Sequence, residues 1–415
     1  MKINIVYHTS GNDVNINIYH KEPTSSDRVV RITNENDELV YGFTINKIEK
    51  DFIDKNFFHF CKFNTFSKNI TISIYQNEVL VFSEFINLKS KYGVEIQAPT
   101  LIVAAEKKFG LGDSFSTQPV IRKLNKIFQR RVNVYSPYES PFLNNPHVNQ
   151  FTRIDDNDTV ESVKRKNKNN PNFWEIGHYK FVINREIDFR DNAANLCQTS
   201  LSKKEKYFEF YPNPKKLNFD LPDRYILIYP RKVGPDRDLG KDKWQELVDR
   251  LNVKNIPVVV IGLSSNYGKL EKDHHDLNVK IGVNLCGKLD IDPTNEFQIS
   301  SEIWHLINKS FGIITFPTSA YVLSSTTDTN IFLISSYFNN DLWNPYRNGV
   351  DDYKLFNIHG SCFEQCINNL KYYVNEHAKI SQFRVQTCPL NKNFSCIPSV
   401  EKIVETVVEK YYQQL

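Results

Sequence analysis

The sequence predicts an α/β protein: two consecutive Rossmann-like domains facing a cleft, behind a small all-β domain. Residues 1–98 hold short runs (INIVYH, VNINIYH, VVRIT, ELVYGFTI, FFHFCKF, NITISIY, VLVFSEFI), several with the period-two alternation of half-buried strands. From Thr100 the pattern changes to buried strand, glycine turn, amphipathic helix and strand. That grammar starts again at Tyr225, so two parallel-sheet halves join near residue 220.

The elements follow in order. SGND, NEND and QNE supply turns between the N-terminal strands. TLIVAAE is a buried strand, QPVIRKLNKIF an amphipathic helix and RVNVYS the next strand. The polar stretch 155–172 reads as a surface excursion, and HYKFVIN as a further strand. In the second half YILIYP, IPVVVIG, VKIGVNL, FGIITFP and NIFLIS are strands. DKWQELVDRLN, SSEIWHLINKS and SAYVLSSTT are helices between them. SVEKIVETVVEKYYQQL is an amphipathic C-terminal helix. The expected boundaries are 1–98 for the β-domain, 99–222 and 223–350 for the Rossmann-like domains, 351–398 for a cysteine-bearing segment and 399–415 for the last helix.

Composition narrows the function. A net charge of +4 in 415 residues gives no general pull toward nucleic acid or anionic membrane. No run is long enough for a membrane-spanning helix, and MKINIVYHTSGNDVN lacks the apolar core of a signal peptide. A soluble intracellular protein is expected. In that compartment clustered cysteines serve metals or redox chemistry more often than disulfides.

Three strand-end segments hold candidate chemistry. In KKFGLGDSFSTQP, Gly110 and Gly112 permit a tight turn, and Asp113 falls where the helix begins. There it is either an N-cap or a general base. YPRKVGPDRDLGKDKW carries Arg231, Lys232, Arg237, Lys241 and Lys243, either a solvated basic loop or a diphosphate site. FPTSAYVLSS opens a helix at Thr318 and Ser319, residues suited to capping or to phosphate. Lys288, in the turn CGKL, is a further candidate nucleotide contact. Cys362, Cys366, Cys388 and Cys396 have the spacing C-x3-C-x21-C-x7-C. Two close pairs across a loop suit a tetrahedral four-thiolate site for zinc or iron, with two disulfides or four unrelated thiols as alternatives.

GLGDSFSTQPVIRKL, RVNVYSP and NNPHVNQF, followed by YILIYP, the basic loop, the CGK turn and FPTS, resemble the ADP-heptose-dependent heptosyltransferases. The β-rich N-terminus and NIHGSCFEQC, TCP and SCI resemble one branch in particular. That branch is the bacterial autotransporter heptosyltransferases, which glycosylate adhesin proteins and carry an iron finger. The resemblance covers nearly the whole chain. It implies a GT-B fold of two Rossmann-like domains and inverting transfer of heptose from ADP-heptose to serine hydroxyls of an autotransporter protein. It implies Asp113 as base, with Gly110, Gly112, Lys232, Thr318 and Ser319 around the donor. The family's cationic lysine falls at Arg237, a departure, with Lys241 as the alternative register. One structural iron (Fe3+) per chain on the four cysteines, with zinc as the alternative, a homo-oligomer and a bacterial cytoplasmic location are also implied. The competing readings are a different donor sugar or a lipid or oligosaccharide acceptor, and a non-catalytic GT-B binding module.

Overall fold

The structure is a computed structural model. It describes residues 3–10, 13–20, 28–34, 36–45, 58–64, 69–87, 98–103, 110–128, 130–154, 157–168, 170, 172–176, 188–214, 217–230, 237–262, 277–289, 295–335, 344–347, 354–363 and 395–413. Two compact units result: residues 1–101 with 122–133 and 156–174, and residues 102–121 with 134–155 and 175–415.

In the first unit seven strands make two antiparallel sheets. Strands β1 (Ile3–Ser10), β2 (Asp13–His20) and β5 (Phe58–Asn64) pair in the order β1-β2-β5. Strands β3 (Arg28–Asn34), β4 (Leu39–Ile45), β6 (Asn69–Gln76) and β7 (Val79–Asn87) pair as β4-β3-β6-β7. Alternation sorts the faces of the second sheet. Val30, Ile32, Ile70, Ile72 and Ile74 are fully buried, while Val29 and Arg31 are exposed. On the outer face the Arg31 guanidinium lies 5.0 Å from the centre of the Tyr75 ring.

A further sheet has the order β10-β9-β8-β11, from β8 (Thr100–Val103), β9 (Val132–Ser136), β10 (Val148–Arg153) and β11 (Phe173–Ile176). Helices α1 (Leu111–Phe115) and α2 (Gln118–Phe128) follow β8, and α3 (Asn157–Lys166) follows β10. The excursion expected at 155–172 is thus partly a helix. Its polar composition hides a two-residue apolar stripe, Val160 and Val163, three positions apart and both buried. HYKFVIN lies outside the described residues.

The second unit is built on six parallel strands: β12 (Ile226–Tyr229), β13 (Val258–Val260), β14 (Gly282–Asn284), β15 (Gly312–Thr315), β16 (Asn330–Ser335) and β17 (Leu355–His359). Their order is β14-β13-β12-β15-β16-β17. Numbered from β12, that is the 3-2-1-4-5-6 order of dinucleotide-binding sheets. Residues 355–359, which the sequence places at the start of the cysteine segment, therefore form the sixth strand of this sheet.

Both faces of the sheet are covered, which is why its strands read as unbroken apolar runs. Tyr225, Leu227 and Tyr229 enter one core with α6 (Glu296–Lys309) and α7 (Ser319–Ser324). Ile226 and Ile228 enter the opposite core with α5 (Lys241–Val253) and the C-terminal helix α8 (Val400–Gln413). Helix α8 buries Val400, Ile403, Val404, Val407 and Tyr411, one stripe at helical spacing, and packs against α5. Arg224 anchors its end: the guanidinium lies 4.4 Å from the Phe311 ring and 4.3 Å from the Tyr411 ring, and donates to the Tyr411 carbonyl at 2.6 Å. Helix α4 (Phe189–Leu196) precedes the connecting segment 197–224. No helix among the described residues is long and apolar enough to cross a membrane.

Candidate active site

In an open parallel sheet, the ligand crevice lies outside the strand C-termini where the strand order reverses. Here the reversal falls between β12 and β15. The segment after β12 is the basic loop, and the segment after β15 is FPTS. The strand order therefore puts side by side two segments about 80 residues apart in the chain.

Arg237 bridges them, its Nη1–H donating to the Pro317 carbonyl at 3.2 Å. Asp238, which sequence reasoning passed over, fixes the end of the basic loop. One carboxylate oxygen accepts from the Gly240 N–H and from the Trp244 indole N–H, both at 3.0 Å. Trp244 is fully buried and packs edge-on against Phe316, 6.1 Å between centroids. Gly240 adopts φ +81°, a region that penalises a side chain, so the chain turns into α5 there. Asp238 and Trp244 thus lock the frame from which Arg237 reaches the turn. Lys241 begins α5 and is exposed. Lys232 lies outside the described residues.

Thr318 occupies the N-cap position of α7, yet its side chain makes no capping bond. Its hydroxyl pairs instead with the Thr315 hydroxyl at 3.2 Å. Pro317, Thr318 and Ser319 remain half-exposed above a buried strand end. Helix α7 has six residues, too few for a strong axial dipole.

Asp113 belongs to the same constellation. It is the third residue of α1 rather than its N-cap. Gly110 is the cap, and its N–H donates to Asp113 Oδ2 at 2.9 Å. A Cβ on Gly110 would stand 3.1 Å from that oxygen, so the glycine admits the carboxylate. Gly112 faces α7: a Cβ there would lie 3.8 Å from the Ser319 nitrogen and 3.7 Å from Val322. Helix α1 therefore rests on the FPTS turn, with no side chain between the backbones.

Phe115, buried in the core that also holds α7, packs on Phe210 at 5.9 Å. Phe210 in turn packs on Phe297 at 5.9 Å and Trp304 at 6.5 Å. Gln118, also buried, ties the next turn down: its amide donates to the Pro141 carbonyl at 2.8 Å and its carbonyl accepts from the Glu209 N–H at 3.1 Å. These contacts hold Asp113 in a fixed place. Nothing in the local sequence marks Phe210 or Glu209 as partners of that helix.

Burial pushes the Asp113 carboxyl up to about 6, against the Gly110 N–H and the Arg237 charge, which both pull it down. Part of the residue still meets solvent. A half-buried carboxylate of that basicity can accept a proton near neutral pH. Lys288 is placed elsewhere: it is exposed on the turn after β14, its N–H donating to the Leu285 carbonyl at 3.0 Å. No contact joins it to Asp113, Arg237 or the Thr318 turn among the described residues.

Of the four cysteines, Cys362 and Cys396 are described and Cys366 and Cys388 lie outside the described residues. Both described thiols are buried. Their backbones meet at Gly360, whose N–H donates to the Cys396 carbonyl at 2.6 Å. A Cβ on Gly360 would fall 2.1 Å from the Ser395 carbonyl oxygen, so only glycine allows this approach. The first and last members of the quartet thus meet at the root of one segment. Two buried thiols are half of the complement that a four-thiolate metal site takes. Among the described residues alone, no group of three metal-ligating side chains assembles.

No protein-family model matches the sequence, and no curated protein matches it either. Solved structures do match. The bacterial iron-containing dodecameric glycosyltransferase TibC from enterotoxigenic E. coli is similar over 99% of this chain and 96% of its own, at 14% identity and a TM-score of 0.50. A glycosyl transferase of family 9 from Veillonella parvula is similar over 78% of this chain and 99% of its own, at 12% identity and a TM-score of 0.51. TibC in complex with ADP-D-β-D-heptose covers the same 99% and 96%, at 14% identity and a TM-score of 0.49. The class defined at this point is structural: the chain has the mixed α/β fold, with a parallel sheet, of these glycosyltransferases.

Proposed function

We propose that this protein is an inverting heptosyltransferase that moves heptose from ADP-heptose to serine hydroxyls of a partner protein of the autotransporter class. The observation that carries the reading is the meeting of Asp113, Arg237 and the Pro317–Ser319 turn at the switch point of the second sheet. A base, a cation and a helix start at one crevice suit displacement at an anomeric carbon. The sequence resemblance supplies the sugar and the acceptor. TibC, whose fold this chain shares, is described as a glycosyltransferase.

The chemistry is one in-line displacement. Asp113 takes the proton of the serine hydroxyl as its oxygen forms a bond to the anomeric carbon. The bond from that carbon to the β-phosphate oxygen breaks on the opposite face, and its electron pair leaves on ADP. Attack opposite the departing group inverts the carbon. Arg237 and the N–H groups of the FPTS turn neutralise charge as it grows on the diphosphate. That stabilisation acts mainly in the transition state and so raises turnover rather than only affinity. Lys232 is the proposed helper from the basic loop, and Lys288 a peripheral nucleotide contact.

Residues 351–398 are proposed as the metal finger. Cys362, Cys366, Cys388 and Cys396 would hold one ion, iron by analogy with TibC, which is described as iron-containing, or zinc. Such an ion supplies a structural cross-link, because four thiolates leave no open coordination position. A homo-oligomer is proposed on the same analogy, TibC being described as dodecameric. The proposed location is the bacterial cytoplasm, where nucleotide sugars are made.

Intact-mass measurement of an acceptor protein incubated with this protein and ADP-heptose tests the reading. Stepwise heptose additions, lost in Asp113→Ala, are expected. ADP release without protein modification would point to another acceptor. No turnover of ADP-heptose or other nucleotide sugars would leave a binding module.

A further inference from the structure

Helix α6 begins with a carboxylate that does not serve its own helix. Asn295 caps α6, its side-chain oxygen accepting from the Gln298 N–H at 3.1 Å. Glu296, the next residue, reaches instead to a loop 156 positions earlier in the chain. Its Oε2 accepts from the Glu139 N–H at 2.9 Å and from the Ser140 N–H at 3.1 Å. Its Oε1 accepts from the Ser140 hydroxyl and, at 3.0 Å, from the Ser300 hydroxyl. Both serines are buried, so the attachment lies inside the protein.

A second strap joins the same helix. Asn213 gives its N–H to Ser301 Oγ at 3.1 Å and its side-chain amide to Gln298 Oε1 at 3.0 Å, and its carbonyl accepts from His305 Nε2 at 2.7 Å. Both straps converge again on Gln118, the first residue of α2, which bonds to Pro141 and to Glu209. Gln118, Pro141, Ser140, Glu296, Asn213 and Glu209 thus mark out a closed ring. One side of the ring is the start of α2, directly after the short helix that carries Asp113. The other is α6, which shares a core with α7 at the FPTS turn.

We propose that Glu296 is a positioning residue for transfer: by fastening the 139–141 strap to α6, it sets where Asp113 stands relative to a donor held at Arg237 and the FPTS turn. The proposal rests on the reading of that crevice as a glycosyl-transfer site. Glu296 acts through the ring and not on the reacting atoms. Without it the Ser140 N–H and hydroxyl lose their acceptor inside the protein, and the strap must move to find another. A misplacement of about 1 Å, caused far from the chemistry, can cost about 10²-fold in rate. The donor contacts lie on the α7 side of the ring, so the loss falls on turnover and not on donor binding.

The test uses full-length Glu296→Ala and Glu296→Gln. The glutamine oxygen can still accept from the two N–H groups, while the serine hydroxyls turn to accept from its amide. Heptose transfer from ADP-heptose is measured per ADP-binding site, counted by calorimetric titration, so unfolded protein does not enter the rate. Glu296→Ala is expected to lower kcat by about 10–100-fold, with donor KM and ADP affinity unchanged. Glu296→Gln should recover most of that loss. Gln118→Ala should also lower kcat and add little to Glu296→Ala, because both open one ring. Hydrogen exchange in Glu296→Ala should quicken at Glu139, Ser140, α1 and α2, and not in α7. If Glu296→Ala is insoluble, Ser140→Ala, which keeps both N–H bonds, is read by the same criteria. Wild-type kcat with unchanged exchange, or a loss carried by donor KM and ADP affinity, would overturn the role of Glu296 alone. Wild-type protein that turns over no nucleotide sugar would overturn the transferase reading, and this inference with it.

Discussion

Asp113→Asn separates chemistry from architecture, because it removes a charge and changes little else. The amide oxygen of the substituted side chain can still accept from the Gly110 N–H, so the turn into α1 is kept. In the folded protein the carboxyl is raised from 3.8 to about 6, with burial as the largest cause. The proton is held more tightly in the folded state than in the unfolded one. Raising the pH from 4 through 6 therefore charges the buried group and takes stability away. From 3.8 to about 6, this loss amounts to about 3 kcal/mol at pH 7.5 and about 1 kcal/mol at pH 4.5. The amide that replaces the carboxyl carries no charge at either pH. The variant should therefore be more stable than wild type by up to about 3 kcal/mol at pH 7.5, and the gain should shrink at pH 4.5. Thermal unfolding at the two pH values measures it. Transfer should meanwhile fall by about 10²–10⁴, the usual contribution of a general base. Wild-type kcat/KM should decline as pH falls through about 6. A variant no more stable at pH 7.5, or with a gain independent of pH, would show that burial does not set this carboxyl. Retention of more than about a tenth of the wild-type rate would remove Asp113 as the base.

Arg237→Ala should lower kcat/KM for the donor by about 10–100-fold, the worth of a charge-assisted hydrogen bond, with little change in acceptor KM. Losing that charge also moves the acid limb of the pH profile upward, because Arg237 holds the Asp113 pKa down. A defect confined to the acceptor would place this loop at the peptide site. Gly360→Ala drives a methyl group into the Ser395 carbonyl, so, on the proposed metal finger, elemental analysis should find metal lost. Full metal content in that variant would mean the close approach is dispensable. Arg224→Ala breaks the stack between Phe311 and Tyr411 and should cost about 1–3 kcal/mol, loosening α8 first. Hydrogen exchange in residues 400–413 no faster than wild type would contradict it.

What the sequence makes legible is what burial writes into it. YILIYP, VVVIG and FGIITF are apolar on both faces because helices cover both sides of their sheet, and they read as strands on that ground. GLGD and FPTS stand out because glycine and small polar residues mark strand ends, where they cap helices or meet ligands. Elements whose burial is thin leave a fainter mark. The helix at 157–166 shows only Val160 and Val163 among charges, and β17, with the sequence LFNIH, alternates too weakly to stand out beside the cysteines. The local sequence also leaves Asp113 open between cap and base. Only the fold shows it as the third residue of its helix, drawn over the Gly110 N–H and packed through Phe115 on a phenylalanine 95 positions away.

The candidate site itself depends on strand order, which no local pattern encodes. Arg237 and Pro317 become neighbours because β15 enters the sheet beside β12 on the side opposite β13. Had β15 been added beyond β14, the same basic loop and the same FPTS turn would lie on opposite flanks of the sheet. Neither could then serve the other. The arginine that departs from the family's lysine fits this geometry. Its planar fork gives one N–H to the Pro317 carbonyl, a directed contact that a lysine point charge makes less specifically. Arg237→Lys is accordingly a sharper probe than Arg237→Ala. It keeps the charge that depresses the Asp113 pKa while giving up the fork. It should leave the acid limb of the pH profile in place and still lower donor kcat/KM. A shift of that limb with no loss of donor use would show that Arg237 acts through Asp113 alone, and not on the departing diphosphate.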